Sequence, residues 1–306
     1  MRRLRAAVTT AVVAAGLLAA CGVSKSGSLG SAPTGSPRTS TPPPSTAGPT
    51  NSPRSPSPPT SPATTRPGSP GGAAPAPASG RTITFDVWLV RDGKLFVTRR
   101  TRPATVATAR LALTTLIAGP TGTESAAGVR SQISTATTFD ISLNQGVATV
   151  DLPASFYTGG RDVARLRQAQ VIYTLTQYPT ITKVGFQKDG QPTGWPLGRT
   201  DYADLLPVIL VTSPVIGQRV TSPVTVAGTA NVYEATVSVR IRDARGVEIA
   251  TTFTTATCGS GCRGRYSVPV TFRVGTVQRG TVEVFSVSAE DGSDSHLVRI
   301  PVTLAP

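Results

Sequence analysis

The chain has 306 residues and a formal net charge of +14, with 30 Lys and Arg against 16 Asp and Glu. Its length allows two ordinary domains. The positive charge is spread along the chain, so no segment has the dense basic footprint of a nucleic-acid-binding protein, and we expect no nucleic-acid partner.

The first 20 residues have the pattern of an export signal. Three arginines within the first five residues precede an apolar stretch at 6–20, which is shorter than the roughly 20 residues needed to cross a bilayer. The stretch ends in Leu18-Ala19-Ala20-Cys21, which resembles the lipobox of bacterial lipoproteins. The resemblance implies cleavage before Cys21, acylation of its sulfur and an anchor in membrane lipid on the outer face of the cytoplasmic membrane. Arginine outnumbers lysine 26 to 4, which is typical of GC-rich, actinobacterial coding.

Residues 21–80 read as the lipidated cysteine followed by a linker. From residue 24 onward the segment is almost entirely Ser, Thr, Pro, Gly and Ala, with no aromatic residue. Such a composition cannot bury enough apolar surface to offset the entropy of ordering the chain. We therefore predict a disordered tether.

Residues 81–206 alternate between strand and helix patterns. The first helix has an apolar face that includes Val106, Leu113 and Ile117, and Gly119-Pro120 ends it. The order predicts an α+β domain with helices on one face of a mixed sheet. The predicted elements are strands at 83–90 and 94–98, a helix at 105–118, strands at 137–143 and 147–152, a helix at 162–177 and a strand at 181–187.

Four motifs in this region occur in a recognisable order. They are the helix and Gly-Pro at 111–121, the strand at 147–152, the helix segment at 169–176 and the strand and turn at 184–190. In this order they resemble the GerMN domain of sporulation and spore germination proteins. The resemblance implies an α+β fold and a part in assembling or sensing envelope complexes.

Residues 207–306 contain seven short β-type segments separated by turns, which is typical of an immunoglobulin-like sandwich. Ser213-Pro214 and the segments 228–234 and 291–293 resemble the immunoglobulin-like domain that follows GerMN in bacterial germination-type lipoproteins. The predicted strands are 208–212, 224–227, 235–242, 248–254, 266–273, 282–289 and 298–304.

Cys258 and Cys262 form an even pair once Cys21 is assigned to lipid. In an exported domain such a pair favours a disulfide, which we interpret as a clamp on a local hairpin. The segment 259–264 formally matches G-x-G-x-x-G, but a strand pattern with a proline follows where a dinucleotide site needs a helix, so the match is accidental.

Few residues are available for catalysis. His296 is the only histidine and lies in a polar turn, and the candidate carboxylates do not single out a pair. We therefore predict a protein that is not an enzyme and has no metal or cofactor. The carboxylates considered are Asp86, Glu124, Asp140 and Asp151.

Two features suggest ligand contacts. Arg99, Arg100 and Arg102 form the densest basic cluster of the folded part, either as a solvated strand edge or as a patch for anionic polymer or lipid. Trp195 lies in a turn-rich segment and suits a surface contact with sugar rings, whereas Trp88 lies in a strand pattern and suits a core.

We expect a non-catalytic, lipid-anchored envelope protein that presents two interaction modules to an envelope protein partner. The alternative is a lipoprotein that binds the cell wall, through peptidoglycan or another polysaccharide, with Trp195 and the arginines as contacts. An envelope hydrolase is a third hypothesis, and it requires two carboxylates brought together by the fold.

Overall fold

The computed structural model describes residues 80–306. The predicted signal peptide, Cys21 and nearly all of the linker lie outside the described residues. Within 80–306 no helix has both the length and the apolar character needed to cross a membrane. The described residues belong to one compact unit.

The first domain opens with a long hairpin. Strands β1 (Thr82–Arg91) and β2 (Lys94–Pro103) pair antiparallel and are joined by a two-residue turn. Asp92 and Gly93 have φ values of 52° and 71°, the left-handed conformation that matches the twist of a hairpin and that glycine adopts without strain. Two helices follow, α1 (Thr108–Ala118) and the short α2 (Gly122–Ala126).

A second, mixed sheet completes this domain. Its strand order is β3-β4-β5-β6, and β4 pairs parallel with β5 while the outer pairs are antiparallel. The parallel crossover runs through helix α3 (Arg161–Leu175). The strands are β3 (Asp140–Asn144), β4 (Val147–Leu152), β5 (Lys183–Lys188) and β6 (Gln191–Pro192).

The α+β class is confirmed, with two differences from the expected layout. The strands divide between two sheets, and α3 contacts strands of both, with every residue of 169–175 buried. Helix α1 begins at Thr108, so Val106 is fully exposed and does not belong to its apolar face. The side chain of Thr105 accepts a hydrogen bond from the Ala107 backbone N–H, which forms a turn just before the helix.

Polar side chains of α3 and of the turn after it cover the open edge of β1. The Thr174 hydroxyl accepts from the Trp88 backbone N–H at 3.1 Å, and the Gln170 amide donates to the Trp88 carbonyl at 3.2 Å. The Gln177 side chain both accepts from and donates to the Asp86 backbone, at 2.8 and 2.7 Å. Gln170 and Thr174 lie four residues apart on one face of α3, and Gln177 lies in the turn just after the helix ends. They satisfy backbone groups that an unpaired strand edge would otherwise expose.

The second domain is an all-β sandwich, as predicted. One sheet has five strands in the order β11-β10-β13-β14-β8, and the other has three in the order β12-β9-β7. Core positions alternate along β10 (Thr236–Arg242), where Val237, Val239 and Ile241 are fully buried. The remaining strands are β7 (Ile209–Ser213), β8 (Arg219–Val220), β9 (Val224–Ala230), β11 (Glu248–Thr255), β12 (Gly264–Val270), β13 (Gln278–Val287) and β14 (Asp294–Leu304).

Candidate functional site at the domain junction

The two domains meet around the connecting residues Pro207 and Val208. Buried apolar residues of both domains form one continuous cluster across this junction. Side chains from the β1–β2 hairpin also reach across it. The Arg91 guanidinium donates to the Arg299 carbonyl at 2.9 Å, and Arg99 donates to the Thr212 carbonyl at 3.4 Å.

The Cys258–Cys262 disulfide is present, with the two Cα atoms 5.7 Å apart. It does not close a hairpin within one sheet, because the loop joins β11 of one sheet to β12 of the other. Chain order alone suggested a local hairpin, since the two strands are consecutive. Gly264 follows the loop, and a Cβ there would lie 2.2 Å from the Cys258 nitrogen, so the position admits no side chain.

The disulfide loop is held against the segment 231–235. The Gly261 N–H donates to Asn231 Oδ1 at 3.0 Å, and the Ser260 N–H donates to the Val232 carbonyl at 2.9 Å. The Glu234 N–H donates to the Ser260 hydroxyl at 3.1 Å. Backbone and side-chain hydrogen bonds thus fix the position of the residue that follows Cys262.

That residue, Arg263, binds the chain where the domains join. Its Nη2 donates to the Pro207 carbonyl at 2.5 Å, and its Nη1 lies 3.3 Å from the Thr229 carbonyl and 3.5 Å from the Val208 carbonyl. Burial lowers the pKa of the Arg263 guanidinium below its ordinary value, while Tyr173 of the first domain opposes that shift. One cation therefore holds several carbonyl groups at the junction.

A groove of about 280 Å³ runs along the junction. One wall is the tip of the β1–β2 hairpin, and the other is formed by β7 and the start of β14. The groove is lined mainly by apolar side chains, and Arg91, Asp92, Lys94 and His296 supply the polar ones. The Lys94 ammonium donates to the Asp204 carbonyl at 2.8 Å, which fixes its position beside the groove.

The structure separates the three arginines of the predicted basic cluster. Arg100 is buried and forms two hydrogen bonds to the Glu124 carboxylate, at 2.8 and 2.6 Å, and Thr98 also donates to that carboxylate. Arg100 is therefore removed from any surface patch for anions. Arg99 and Arg102 are exposed, and Arg99 pairs with Asp86 at 3.2 Å.

Glu124 was considered as a catalytic acid, but its carboxylate is fully engaged in hydrogen bonds that stabilise the fold. Burial raises the pKa of its carboxyl, but hydrogen bonds from Arg100, Thr98 and the Thr121 backbone outweigh burial, and the pKa lies below its ordinary value. Thr121 and Glu124 also form a capping box at the start of α2. The T-x-x-E spacing of residues 121–124 is the sequence pattern of a capping box, and it could have predicted this role of Glu124.

A second buried carboxylate was also missed. Glu283 accepts hydrogen bonds from Arg240, Arg242 and Arg299 on the outer face of the five-stranded sheet. Burial raises the pKa of Glu283, but the three guanidinium groups outweigh burial and hold the pKa below its ordinary value. The partners come from β10 and β14, on either side of the strand that carries Glu283, so local sequence patterns could not bring them together.

Two of the remaining carboxylate candidates lie together, since Asp140 and Asp151 line one pocket with Asp189. Asp140 and Asp151 face each other across β3 and β4, and Asp151 accepts from the Gly190 N–H at 3.0 Å. His296 is exposed at the start of β14. Within 80–306, no three His, Cys, Asp or Glu side chains are grouped so that they could hold a metal ion.

The two tryptophans occupy the expected environments. Trp88 is buried, with its ring centroid 4.7 Å from that of Tyr173 and with Arg199 over its face. Trp195 is 90% exposed. It precedes Pro196, whose ring packs over Gly185 of β5: a Cβ atom at Gly185 would lie 3.9 Å from Pro196 Cγ.

Two family models match consecutive parts of the chain. Residues 87–194 match the model described as sporulation and spore germination. Residues 208–293 match the immunoglobulin-like domain of bacterial spore germination. No curated protein sequence matches significantly.

Several solved structures are similar to the chain. The tandem GerMN domains of the sporulation protein GerM from Bacillus subtilis match with 15% identity and a TM-score of 0.34, covering 74% of this chain and 61% of that one. The first GerMN domain of the same protein matches with 23% identity and a TM-score of 0.31, over 38% of this chain and 95% of that one. A putative lipoprotein from Clostridium perfringens matches with 16% identity and a TM-score of 0.29, over 41% of this chain and 93% of that one.

Proposed function

We propose that this chain, which carries a sporulation and spore germination (GerMN) domain followed by the immunoglobulin-like domain of bacterial spore germination, is a non-catalytic, lipid-anchored envelope protein. In this proposal acylated Cys21 holds it on the outer face of the cytoplasmic membrane. The two domains act as one interaction unit that assembles or senses envelope complexes.

The contacts between the two domains are the observation that supports a single interaction unit. A continuous apolar cluster and the hydrogen bonds of Arg91 and Arg99 join the domains, and Arg263 binds the connecting residue Pro207. Two domains held in this way present one composite surface, which is what a protein that recruits or senses a partner needs. Interfaces between independent domains are usually more polar and more mobile.

The buried carboxylates support a role without catalysis. A general acid at neutral pH needs a raised pKa, whereas the pKa values of Glu124 and Glu283 are lowered and both groups are occupied by arginine. Their environment suits stabilisation of the fold. The third hypothesis, a hydrolase, therefore gains no support from these two residues.

Binding to cell-wall polysaccharide remains a second candidate function, because Trp195 is so exposed. An indole ring at the surface can stack on a sugar ring, and Trp is enriched at interfaces. This candidate requires Trp195 itself to be a contact.

Capture experiments distinguish the two candidates. The chain from residue 21, carrying Cys21→Ser so that it needs no detergent, is incubated with purified wall sacculi and separately with solubilised membrane proteins. The proposal predicts capture of a discrete membrane protein and no retention on sacculi. Retention on sacculi that Trp195→Ala abolishes, but that the matched surface variant Phe253→Ala does not, would establish wall binding instead.

The anchor is tested separately on the native protein. Mass spectrometry of its N-terminal peptide should show a chain that starts at Cys21 and carries a diacylglycerol thioether. An unmodified Cys21 inside a longer peptide would contradict the lipid anchor.

A further inference from the structure

We propose that the groove at the domain junction binds a small amphipathic anion, with an apolar body between the domains and one acidic group at the hairpin tip. The acidic group is a carboxylate, sulfonate or phosphate. This site is independent of the lipid anchor and of the proposed envelope partner.

The walls of the groove favour an apolar body. Leu95 and Phe96 of β2 lie on one side, and Val208, Leu210 and Leu297 lie on the other. Ligand pockets in proteins are mostly apolar, carry a few well-placed polar groups and occur preferentially at domain interfaces. The groove has all three properties.

The size of the groove limits the ligand. Pockets for drug-sized molecules have volumes of about 300–1,000 Å³, and this groove has about 280 Å³. It therefore suits a single small molecule, such as a fused aromatic ring or a short acyl chain. A folded partner or a polymer chain would require a larger opening.

Charge complementarity at the hairpin tip favours an anion. Arg91 and Lys94 line the groove, and the one carboxylate among the lining residues is Asp92. Its side chain is 89% exposed and lies 3.6 Å from Arg91 Nε, so this solvated partner compensates the Arg91 charge only in part. Burial lowers the pKa of Arg91, with Asp92 opposing that shift and the Arg299 charge adding to it. A poorly solvated cation gains more from an incoming anion than a cation in open water does.

Both cations are fixed in position and keep donors for a ligand. Arg91 donates from Nη1 to the Arg299 carbonyl, and Lys94 donates to the Asp204 carbonyl. A guanidinium has five N–H donors and an ammonium has three. Hydrogen bonds to the protein therefore occupy only part of their capacity, and the groups are preorganised for an acidic ligand.

The test uses two fluorescent probes with similar aromatic bodies. One is 8-anilinonaphthalene-1-sulfonate, and the other is N-phenyl-1-naphthylamine, which lacks the sulfonate. The protein is the chain from residue 21 with Cys21→Ser, because an acyl chain would itself bind the probes. We expect saturable binding of the sulfonate probe at one site, with an affinity at least about tenfold higher than that of the neutral probe.

Variants assign the binding to the groove. Lys94→Gln should lower the affinity for the sulfonate probe by about tenfold, because one charge-assisted hydrogen bond is lost. The affinity for the neutral probe should stay unchanged. The control Lys188→Gln removes an exposed lysine at the end of β5, and it should change the affinity for neither probe. Equal affinity for the two probes, non-saturable binding, or an unchanged affinity in Lys94→Gln would overturn the proposal. Unfolding midpoints of both variants verify that they are folded.

Discussion

Arg100 forms an ion pair with Glu124 and so has a structural role rather than that of a ligand contact. Both side chains are buried and form two mutual hydrogen bonds. Removing one partner of a buried pair leaves an uncompensated charge, and this typically costs about 3–5 kcal/mol. The exposed pair between Arg99 and Asp86, on the same hairpin, lacks this penalty.

Glu124→Gln should therefore lower the free energy of unfolding by about 3–5 kcal/mol. The matched variant Asp86→Asn should lower it by no more than about 1 kcal/mol, because an exposed ion pair is screened by water. Urea unfolding followed by circular dichroism measures both values. Similar losses in the two variants would show that Arg100 and Glu124 are not a buried pair.

The same pair predicts a dependence of stability on pH. The pKa of Glu124 is lower in the folded chain than its ordinary value of 4.5, so the ionised carboxylate stabilises the folded state above about pH 4.5. This contribution is lost as the pH falls through the folded-state pKa. Unfolding free energies measured between pH 6 and pH 3 should therefore fall less steeply in Glu124→Gln than in the unsubstituted chain. Parallel curves would contradict this account of Glu124.

Sequence reasoning succeeds at this scale where the residue type and local pattern suffice. The core position of Trp88, the exposure of Trp195 and the pairing of Cys258 with Cys262 all follow from local context. The prediction of an exposed Arg100 was wrong. Strand β2 buries residues on both of its faces, and the carboxylate that pairs with Arg100 lies 24 residues away, so no local pattern indicated the pair.

At the scale of elements, helix α3 is the part that local patterns describe least well. Its C-terminal half is buried all round, yet it contains Gln170 and Thr174. An amphipathic pattern assigns such polar residues to the solvent side. Here they serve as hydrogen-bonding partners for the edge of β1, and this role depends on a strand more than 80 residues earlier in the chain.

Gln177→Ala tests how the turn that follows α3 covers this same edge of β1. The substitution leaves the Asp86 N–H and carbonyl without their side-chain partner, so we expect a loss of about 1–3 kcal/mol in the free energy of unfolding. Hydrogen exchange adds a local readout, because the Asp86 amide should exchange faster in the variant. Arg161→Ala, at the exposed start of α3, should change neither quantity appreciably. Unchanged protection of Asp86 in Gln177→Ala would show that the side chain does not cover this edge.

The order of the elements, in contrast, was predictable. Strands separated by Gly-containing turns and a helix ended by Gly-Pro leave strong local signals, and every predicted strand and helix is present in the predicted order. The short elements α2, β6 and β8 were not predicted. The division of the strands of the first domain between two sheets was not predictable, because no local pattern indicates which strands pair with one another.

At the scale of the whole molecule, the shared apolar cluster and the hydrogen bonds at the junction distinguish this chain from two domains joined by a flexible linker. Resemblance supplied the identity and order of the domains, but not how they are joined. The partners of Arg263 at Pro207 and Thr229 lie 56 and 34 residues away. Nothing in the residues around Arg263 indicates that it contacts the connecting segment, so only the three-dimensional fold reveals the contact.

Nitrogen-15 NMR relaxation of the chain from residue 21 with Cys21→Ser tests most directly whether the two domains form one unit. We predict one rotational correlation time shared by the amides of 82–205 and of 209–304. Arg91→Ala combined with Arg99→Ala removes two hydrogen bonds that cross the junction and should separate the values for the two domains, whereas the exposed control Arg265→Ala should leave them equal. Two distinct correlation times in the unsubstituted chain would show that the domains tumble independently, and the proposal of one composite interaction surface would then be wrong.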